Sequence, residues 1–285
     1  MLEKELETAV RLARIAGDEI MTIFHKGFEV EEKTEGAFYS EPVTIADKTS
    51  SRIIVEGLSA SFPDDAILSE EEPDDVKRRL SKDRVWIIDP LDGTKGFTEK
   101  AGDFAVQISL TENGDPVLGV VFQPIKEVLY YAVKDQGAYL MENGDTPVKL
   151  KVSDIADFNN MTIAVSRSHR SKVMTKLVDH FGFRNEFRHG SVGLKVGFLT
   201  QQIADIYIHL SPHTKFWDTA APQIILEEAG GKLTDIFGTR IRYDLRDVKN
   251  HNGILSTNGV SHARSVEHLR SLLTEVGRFK IARSG

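Results

Sequence analysis

The chain contains no cysteine among its 285 residues. Disulfides and thiolate chemistry are therefore excluded, and any bound metal must be held by oxygen or imidazole ligands. Long apolar runs are also missing, so we expect no membrane-spanning segment. Positive charge is in deficit, with a net charge of −7, which disfavours binding to DNA or RNA polymers. The first 20 residues are charged and amphipathic, unlike a signal peptide, so a cytoplasmic location is expected.

The pattern of helix and strand signals changes near residue 155. In residues 1–155, an N-terminal helix and a second helix over about residues 46–60 precede short alternating strands with turn signals between them. Residues 156–285 instead mix strand and helix patterns, including a helix predicted over residues 191–206. We therefore predict an α/β protein with an α+β first half, divided into subdomains 1–155 and 156–285.

The segment WIIDPLDGTKGF, residues 86–97, begins as a buried strand and carries Asp89 and Asp92 where that strand ends. Two carboxylates in such a place repel each other unless a cation lies between them, and Mg²⁺ is the natural oxygen-seeking candidate. The structural alternative is that Asp89 caps the next helix and Asp92 occupies a turn. The D-x-D-G-T signature of aspartyl-phosphate phosphatases is excluded, because Pro90 stands where its first acid belongs.

Three further acids lie at element ends beside apolar residues. Asp47 occurs in EPVTIAD, Glu70 in LSEEE and Asp218 in FWDTAAP. Each of them alone is typical of a helix cap or a solvated surface acid. Together with Asp89 and Asp92, however, they form a set of carboxylates that a metal centre would use.

The ordered motifs resemble the inositol monophosphatase superfamily of metal-dependent, lithium-sensitive phosphatases. The motifs that carry the resemblance are EPVTIAD, LSEEE, WIIDPLDGTKGF and FWDTAAPQIILEEAGGKLTD. The resemblance covers nearly the whole chain. It implies the layered αβαβα sandwich of the inositol monophosphatase and fructose-1,6-bisphosphatase type, with two or three Mg²⁺ ions bound between the two halves. Most of the ligands would lie in the first half.

The resemblance also implies how the ions are held. Glu70, Asp89 and the backbone carbonyl of Leu91 would bind one Mg²⁺, and Asp89, Asp92 and Asp218 would bind a second. Ser69 stands where the family often has glycine before the acid, which leaves the acid in place. Asp92 and Asp218 would also contact the substrate.

The same resemblance assigns three catalytic residues: Glu70, Thr94 and Asp47. Asp47 would orient the Thr94 hydroxyl, and Thr94 and Glu70 would position and deprotonate a metal-activated water that attacks phosphorus. The N–H groups of Gly93 and Thr94 would hold phosphate oxygens.

Other stretches are similar to the 3'(2'),5'-bisphosphate nucleotidases, which convert adenosine 3',5'-bisphosphate to AMP and phosphate during sulfur assimilation. Lys95-Gly96-Phe97 follows their pattern, and SRSHRSK maps Ser166 and His169 onto their nucleotide-contacting segment. GSVGLK maps Lys195 onto a substrate-binding lysine, and Ser191 stands where some relatives have glycine. His169 equally fits a helix N-cap region.

Two other functions fit the same residues. The first is an inositol monophosphatase or broad sugar phosphatase on the same scaffold. The second is a regulator that binds metal or nucleotide without turnover, although such a protein has no need of Thr94 beside five acids. In each case the partner would be a small phosphate ester, and the protein would be a monomer or homodimer.

Overall fold

The computed structural model describes residues 2–35, 39–167 and 171–275. The helices of these residues are α1 (Glu3–Lys26), α2 (Ile45–Ser61), α3 (Val76–Leu80), α4 (Thr94–Thr98), α5 (Lys172–Phe181), α6 (Val192–Thr200), α7 (Phe216–Glu228) and α8 (His262–Glu275). Both helices predicted in the first half are confirmed as α1 and α2. Within the three described ranges, no helix has both the length and the apolar composition that are needed to cross a bilayer.

A seven-stranded sheet occupies the first half of the chain. Its strands, in their spatial order, are β3 (Ala66–Ser69), β4 (Arg84–Asp92), β5 (Ala105–Glu112), β6 (Asp115–Gln123), β7 (Val128–Val133), β8 (Gly137–Glu142) and β9 (Val148–Lys149). Strands β3 and β4 are parallel, and all later neighbours are antiparallel. The predicted meander is thus confirmed. Before it lies an antiparallel ribbon of β1 (Val30–Glu35) and β2 (Tyr39–Thr44).

A five-stranded mixed sheet occupies the second half. Its spatial order is β11 (Asn185–His189), β10 (Thr162–Ser166), β12 (Ile206–His209), β14 (Ile254–Thr257) and β13 (Lys232–Thr234). Strand β10 pairs in parallel with both β11 and β12, whereas β14 is antiparallel to both of its neighbours. Parallel neighbours require crossover segments, and helices α5 and α6 lie within those segments.

Alternating side chains on the strands stack the elements into five layers. Trp86 and Ile88 face the apolar cluster under α1 and α2, whereas Ile87 faces the opposite cluster under α6 and α7. In the second sheet Ala164 joins the α6 and α7 side, and Ile163 packs towards α5 and α8. The order is therefore helices, sheet, helices, sheet, helices, which confirms the predicted αβαβα sandwich. Apolar clusters on both faces of each sheet hold the layers together.

The helix predicted over residues 191–206 is wrong at its C-terminal end. Helix α6 ends at Thr200, Gln202 takes a positive φ of 61°, and Ile206 begins β12. Periodicity misses this break because a short apolar run fits a buried strand as well as a buried helix. The subdomain boundary near residue 155 stays a prediction, and the largest apolar cluster draws residues from both sides of it, such as Val121 and Ala164.

His262 provides a test of the packing at the start of α8. Its ring nitrogens lie 3.1 Å from Thr234 Oγ1 and 3.0 Å from Thr257 Oγ1, and burial lowers the pKa of His262 to about 4, with Lys232 as a smaller cause. The ring therefore stays neutral to a lower pH in the folded protein than in the unfolded chain. The stabilisation is therefore full above pH 6.5 and is lost as the pH falls from 6.5 towards 4.

We expect His262→Asn to flatten the pH dependence of stability. Between pH 7.5 and 5.5 the free energy of unfolding of the wild type should fall by about 1 kcal/mol more than that of the variant. Urea unfolding at both pH values measures this difference. The exposed His25→Asn variant is the control and should follow the wild type. Equal slopes for the wild type and His262→Asn would contradict the assignment.

Candidate active site

Strand β4 delivers two of the predicted acids to one place. The strand continues past Asp89 to Asp92, and its pairing with β5 shifts register between these two residues. Such a bulge re-aims the side chains that follow it. Along a regular strand, Asp89 and Asp92 would point to opposite faces of the sheet. The bulge therefore lets both carboxylates reach the same cluster.

Asp89, Asp92 and Asp218 form a compact carboxylate cluster, in which one oxygen from each lies within 4.8 Å of the others. Asp89 and Asp92 are buried. Asp218 is the third residue of α7, and its Oδ2 accepts a 2.6 Å hydrogen bond from Lys215 N at the start of that helix. The site thus joins a strand of the first half to a helix of the second.

Electrostatic repulsion is the main property of this cluster. Burial raises the pKa of Asp89 well above its usual range, and repulsion from Glu70, Asp92 and Asp218 raises it further. Glu70 lies beside the same strand, since its N–H donates to Ile88 O at 3.2 Å. A divalent cation would remove this cost, and a donor set made only of oxygen suits a hard ion.

Thr94 is held by two acceptors. Its Oγ1 lies 3.0 Å from Asp47 Oδ1 and 3.1 Å from Leu91 O. Because both neighbours accept, the hydroxyl hydrogen points at them and the Oγ1 lone pairs remain available to another donor. Leu91 itself lies next to the cluster, because its N–H donates to Asp89 Oδ1 at 3.1 Å.

The Asp47 side chain is held in place by contacts other than its hydrogen bond with Thr94. Its Oδ2 accepts 2.7 Å hydrogen bonds from both the N–H and the hydroxyl of Thr44, which caps α2. Burial nevertheless raises the pKa of Asp47 to about 6, against the lowering effect of these hydrogen bonds. The position of Asp47 in the first turn of α2 therefore orients its second oxygen, Oδ1, towards Thr94.

Gly93 makes the turn between the acid cluster and Thr94 possible. Its φ of +91° lies in the left-handed region, and a Cβ at this position would lie 2.4 Å from Asp103 O. Both facts require glycine here. The predicted phosphate-binding pair, Gly93 and Thr94, therefore lies directly at the end of β4.

Ser191, in the second half of the chain, contacts the carboxylate cluster. Its hydroxyl donates to Asp92 Oδ2 at 2.5 Å and accepts from Leu194 N at 3.1 Å, as the N-cap of α6. The backbone of Ser191 is strained, with φ of 54° and ψ of 131°. Strain of this kind persists only where surrounding contacts over-determine it, which is common at functional sites.

Lys195 is buried beneath this turn. Its Nζ donates to Ser191 O at 2.7 Å and lies 5.0 Å from the centre of the Tyr207 ring. Burial lowers the pKa of Lys195 to about 8. The carboxylates that oppose the shift are Asp92, Asp103 and Asp218. A buried cation therefore lies close to the acids.

Of the two predicted nucleotide contacts, Ser166 and His169, only Ser166 is among the described residues. Ser166 is the last residue of β10, paired in register with His189. His169 lies outside the described residues, so its predicted contact stays a prediction. Arg167 follows Ser166 and pairs with Asp103 at 2.8 Å and Glu99 at 3.1 Å.

Asp103 is a buried residue that the sequence did not mark. Its Oδ2 accepts from Gly190 N at 2.9 Å and its Oδ1 lies 3.1 Å from His189 Nε2. It thus fixes the backbone just before Ser191. In the sequence, Asp103 is marked only by its position beside the apolar Phe104. The contacts that reveal its role are with residues 189–190, which lie more than 80 positions further along the chain.

Comparison with known proteins places this chain among phosphatases. A sequence model of the inositol monophosphatase family matches residues 1–274. The 3'(2'),5'-bisphosphate nucleotidase CysQ of Salmonella typhimurium is 36% identical over 244 residues, which cover 85% of this chain and 95% of that protein. An inositol-1-monophosphatase of Bacillus subtilis is 30% identical over 260 residues, which cover 90% of this chain and 92% of that protein.

A solved structure extends the likeness to the fold. An IMPase from Thermotoga maritima matches with a TM-score of 0.81 at 27% identity, and the match covers 96% of this chain and 100% of that one. The five-layer architecture is therefore one that solved relatives share.

We expect Asp89→Asn to stabilise the metal-free protein. The substitution removes a carboxyl group whose ionisation is opposed by burial and by Glu70, Asp92 and Asp218, so the free energy of unfolding in EDTA should rise by about 1–2 kcal/mol. The gain in Tm on adding Mg²⁺ should be much smaller than in the wild type. Thermal unfolding in both buffers measures each effect. A variant that is less stable in EDTA and gains as much from Mg²⁺ would contradict the assignment.

Proposed function

Because this chain belongs to the inositol monophosphatase family, we propose that it is a Mg²⁺-dependent 3'(2'),5'-bisphosphate nucleotidase that converts adenosine 3',5'-bisphosphate to AMP and phosphate. The observation that carries the hydrolytic part is the cluster of the buried Asp89 and Asp92 with the half-buried Asp218, in which one oxygen from each lies within 4.8 Å of the others. Buried acids this close need cations, and a phosphate ester is the anionic substrate that such cations attract.

The donor set fits Mg²⁺. Glu70, Asp89 and the Leu91 carbonyl would hold one ion, and Asp89, Asp92 and Asp218 a second, with Asp89 shared. Every one of these donors is an oxygen, as Mg²⁺ prefers. When bound, the ions neutralise phosphate oxygens, lower the pKa of water and stabilise the leaving alkoxide.

The residues of the chain supply proton handling and orientation. Thr94 has its hydrogen committed to Asp47 and Leu91, so its Oγ1 can accept a hydrogen bond from the attacking water. Glu70 lies beside β4, and its charge is close enough to raise the pKa of Asp89, so its carboxylate would take a proton from the same water. Gly93 and Thr94 would hold phosphate oxygens through their N–H groups.

A nucleotide with two phosphates is favoured over inositol monophosphate. The nucleotidase relative is 36% identical, against 30% for the inositol-1-monophosphatase. A second phosphate also needs a cation away from the acids. Arg167 provides one candidate at the end of β10, with about a third of its side chain exposed and its guanidinium paired with Asp103 and with the exposed Glu99. Lys195 lies nearer the acids and supplies a second positive charge.

Substrate comparison tests the nucleotide specificity. We expect kcat/KM for adenosine 3',5'-bisphosphate to exceed that for inositol 1-phosphate by about tenfold or more, as one additional charge-assisted phosphate contact would give. Phosphate release at saturating Mg²⁺ measures both. Equal or reversed preference would favour the inositol monophosphatase alternative. Binding without turnover would favour a regulator.

Thr94 tests the proton-handling scheme. We expect Thr94→Val to lower kcat by about 100-fold or more, because the variant loses the hydroxyl but keeps the shape of the side chain. Thr94→Ser keeps the hydroxyl and is the matched control, with kcat within a few-fold of the wild type. Mg²⁺ affinity should be similar in both variants, since Thr94 is not a proposed ligand. Steady-state kinetics over a Mg²⁺ series separates these effects, and a fully active Thr94→Val enzyme would refute the scheme.

A further inference from the structure

The Asp92 carboxylate is surrounded by donors. Its Oδ2 accepts from Gln107 Nε2 at 2.7 Å, from Ser191 Oγ at 2.5 Å and from Gly193 N at 2.7 Å. Its Oδ1 accepts from Val192 N at 3.0 Å. A carboxylate oxygen has about two lone-pair directions, so three donors saturate Oδ2, whereas Oδ1 retains room for another partner.

Gln107 differs from the other donors in its origin. The other three come from the start of α6, whereas Gln107 lies on β5, opposite Asp89 in the register of β4 and β5. Its side chain is fully buried on the face of the sheet that packs against α6. Because it approaches from the sheet, Gln107 limits rotation of the Asp92 carboxylate from the side that α6 does not cover.

The orientation of the Gln107 amide is fixed by Asp92. If the amide were flipped, Oε1 would face Asp92 Oδ2 as a second acceptor at hydrogen-bond distance, which is repulsive. With Nε2 towards Asp92, Oε1 is buried and has no hydrogen-bond partner among the described residues. An unsatisfied buried acceptor costs about 1–3 kcal/mol. An apolar side chain would avoid this cost, so packing alone does not explain glutamine at this position.

Gly193 provides the space for this contact. A Cβ on Gly193 would lie 2.9 Å from both Cδ and Oε1 of Gln107. The glycine lets its own N–H and the Gln107 amide reach the same Asp92 oxygen. Strand β5 and helix α6 are thus fitted to each other around one carboxylate.

We propose that Gln107 is a positioning residue that holds Asp92 Oδ2 within the protein and leaves Oδ1 as the oxygen that binds a divalent cation. The proposal depends on cation binding at the acid cluster, and not on which phosphate ester is hydrolysed. Partners that orient metal ligands commonly contribute 10- to 100-fold to metal affinity. Without the amide, Oδ2 keeps only the donors from the start of α6, and the carboxylate loses its restraint on the side of the sheet, so Asp92 can rotate out of its single defined binding geometry.

The test is Gln107→Met, a flexible side chain of similar length that lacks the amide. Titration of the metal-free protein with Mn²⁺, followed by electron paramagnetic resonance, should show one class of sites weakened by about 10- to 100-fold. The free energy of unfolding in EDTA should change little, because the unpartnered Oε1 is removed together with the hydrogen bond. A crystal structure of the Mn²⁺ form should show Asp92 Oδ1 as the ligand in the wild type.

The matched control is Gln223→Met. Gln223 is equally buried, but its amide contacts Glu227 and Tyr243 and none of the clustered acids. It should lose stability without losing Mn²⁺ affinity. Unchanged affinity in Gln107→Met, or a wild-type structure in which Oδ2 binds the ion, would overturn the proposal while leaving the proposed phosphatase intact. A wild type that binds no Mn²⁺ would overturn both, and a wrong substrate preference alone would leave the role of Gln107 standing.

Discussion

The structure depends on mutual repulsion among clustered carboxylates and on the framework that holds them together in spite of it. Asp89, Asp92 and Asp218 would separate if their backbones were free, and the raised pKa of Asp89 reflects that tendency. The bulge in β4, the first turn of α7 and the donors at the start of α6 prevent separation. The fold therefore stores an electrostatic cost that a cation can remove, which is a general way of building a high-affinity metal site.

The sandwich explains why these restraints converge. The middle helical layer, α6 and α7, packs against both sheets. Residues at the start of each of these helices reach the acids at the end of β4. Asp218 enters from α7 and Ser191 from α6, while Asp89 and Asp92 come from the sheet. Helix starts present free N–H groups, and those of α6 are used here to hold a side-chain carboxylate.

Much of this could be predicted from the sequence because it is encoded locally. Helix α1, the meander β5 to β8 and the acids near element ends all follow from periodicity and turn signals within short windows. The order of the layers was predicted from the resemblance of four ordered motifs to the inositol monophosphatase superfamily. By contrast, nothing local marks Gln107, since its one hydrogen bond to a distant acid depends on a bulge that only tertiary structure reveals. Asp103 was missed for the same reason, and the end of α6 because buried strands and buried helices look alike over a few residues.

One consequence concerns the order in which the chain is made. Asp89 and Asp92 are synthesised long before the residues that restrain them, because Ser191 and Gly193 follow about 100 positions later. A nascent chain that ends before Ser191 carries the first acids without these donors and without Asp218. The donor set proposed for the second ion, Asp89, Asp92 and Asp218, is therefore complete only after α7 has emerged, so that translation itself sets the earliest moment at which that ion can bind.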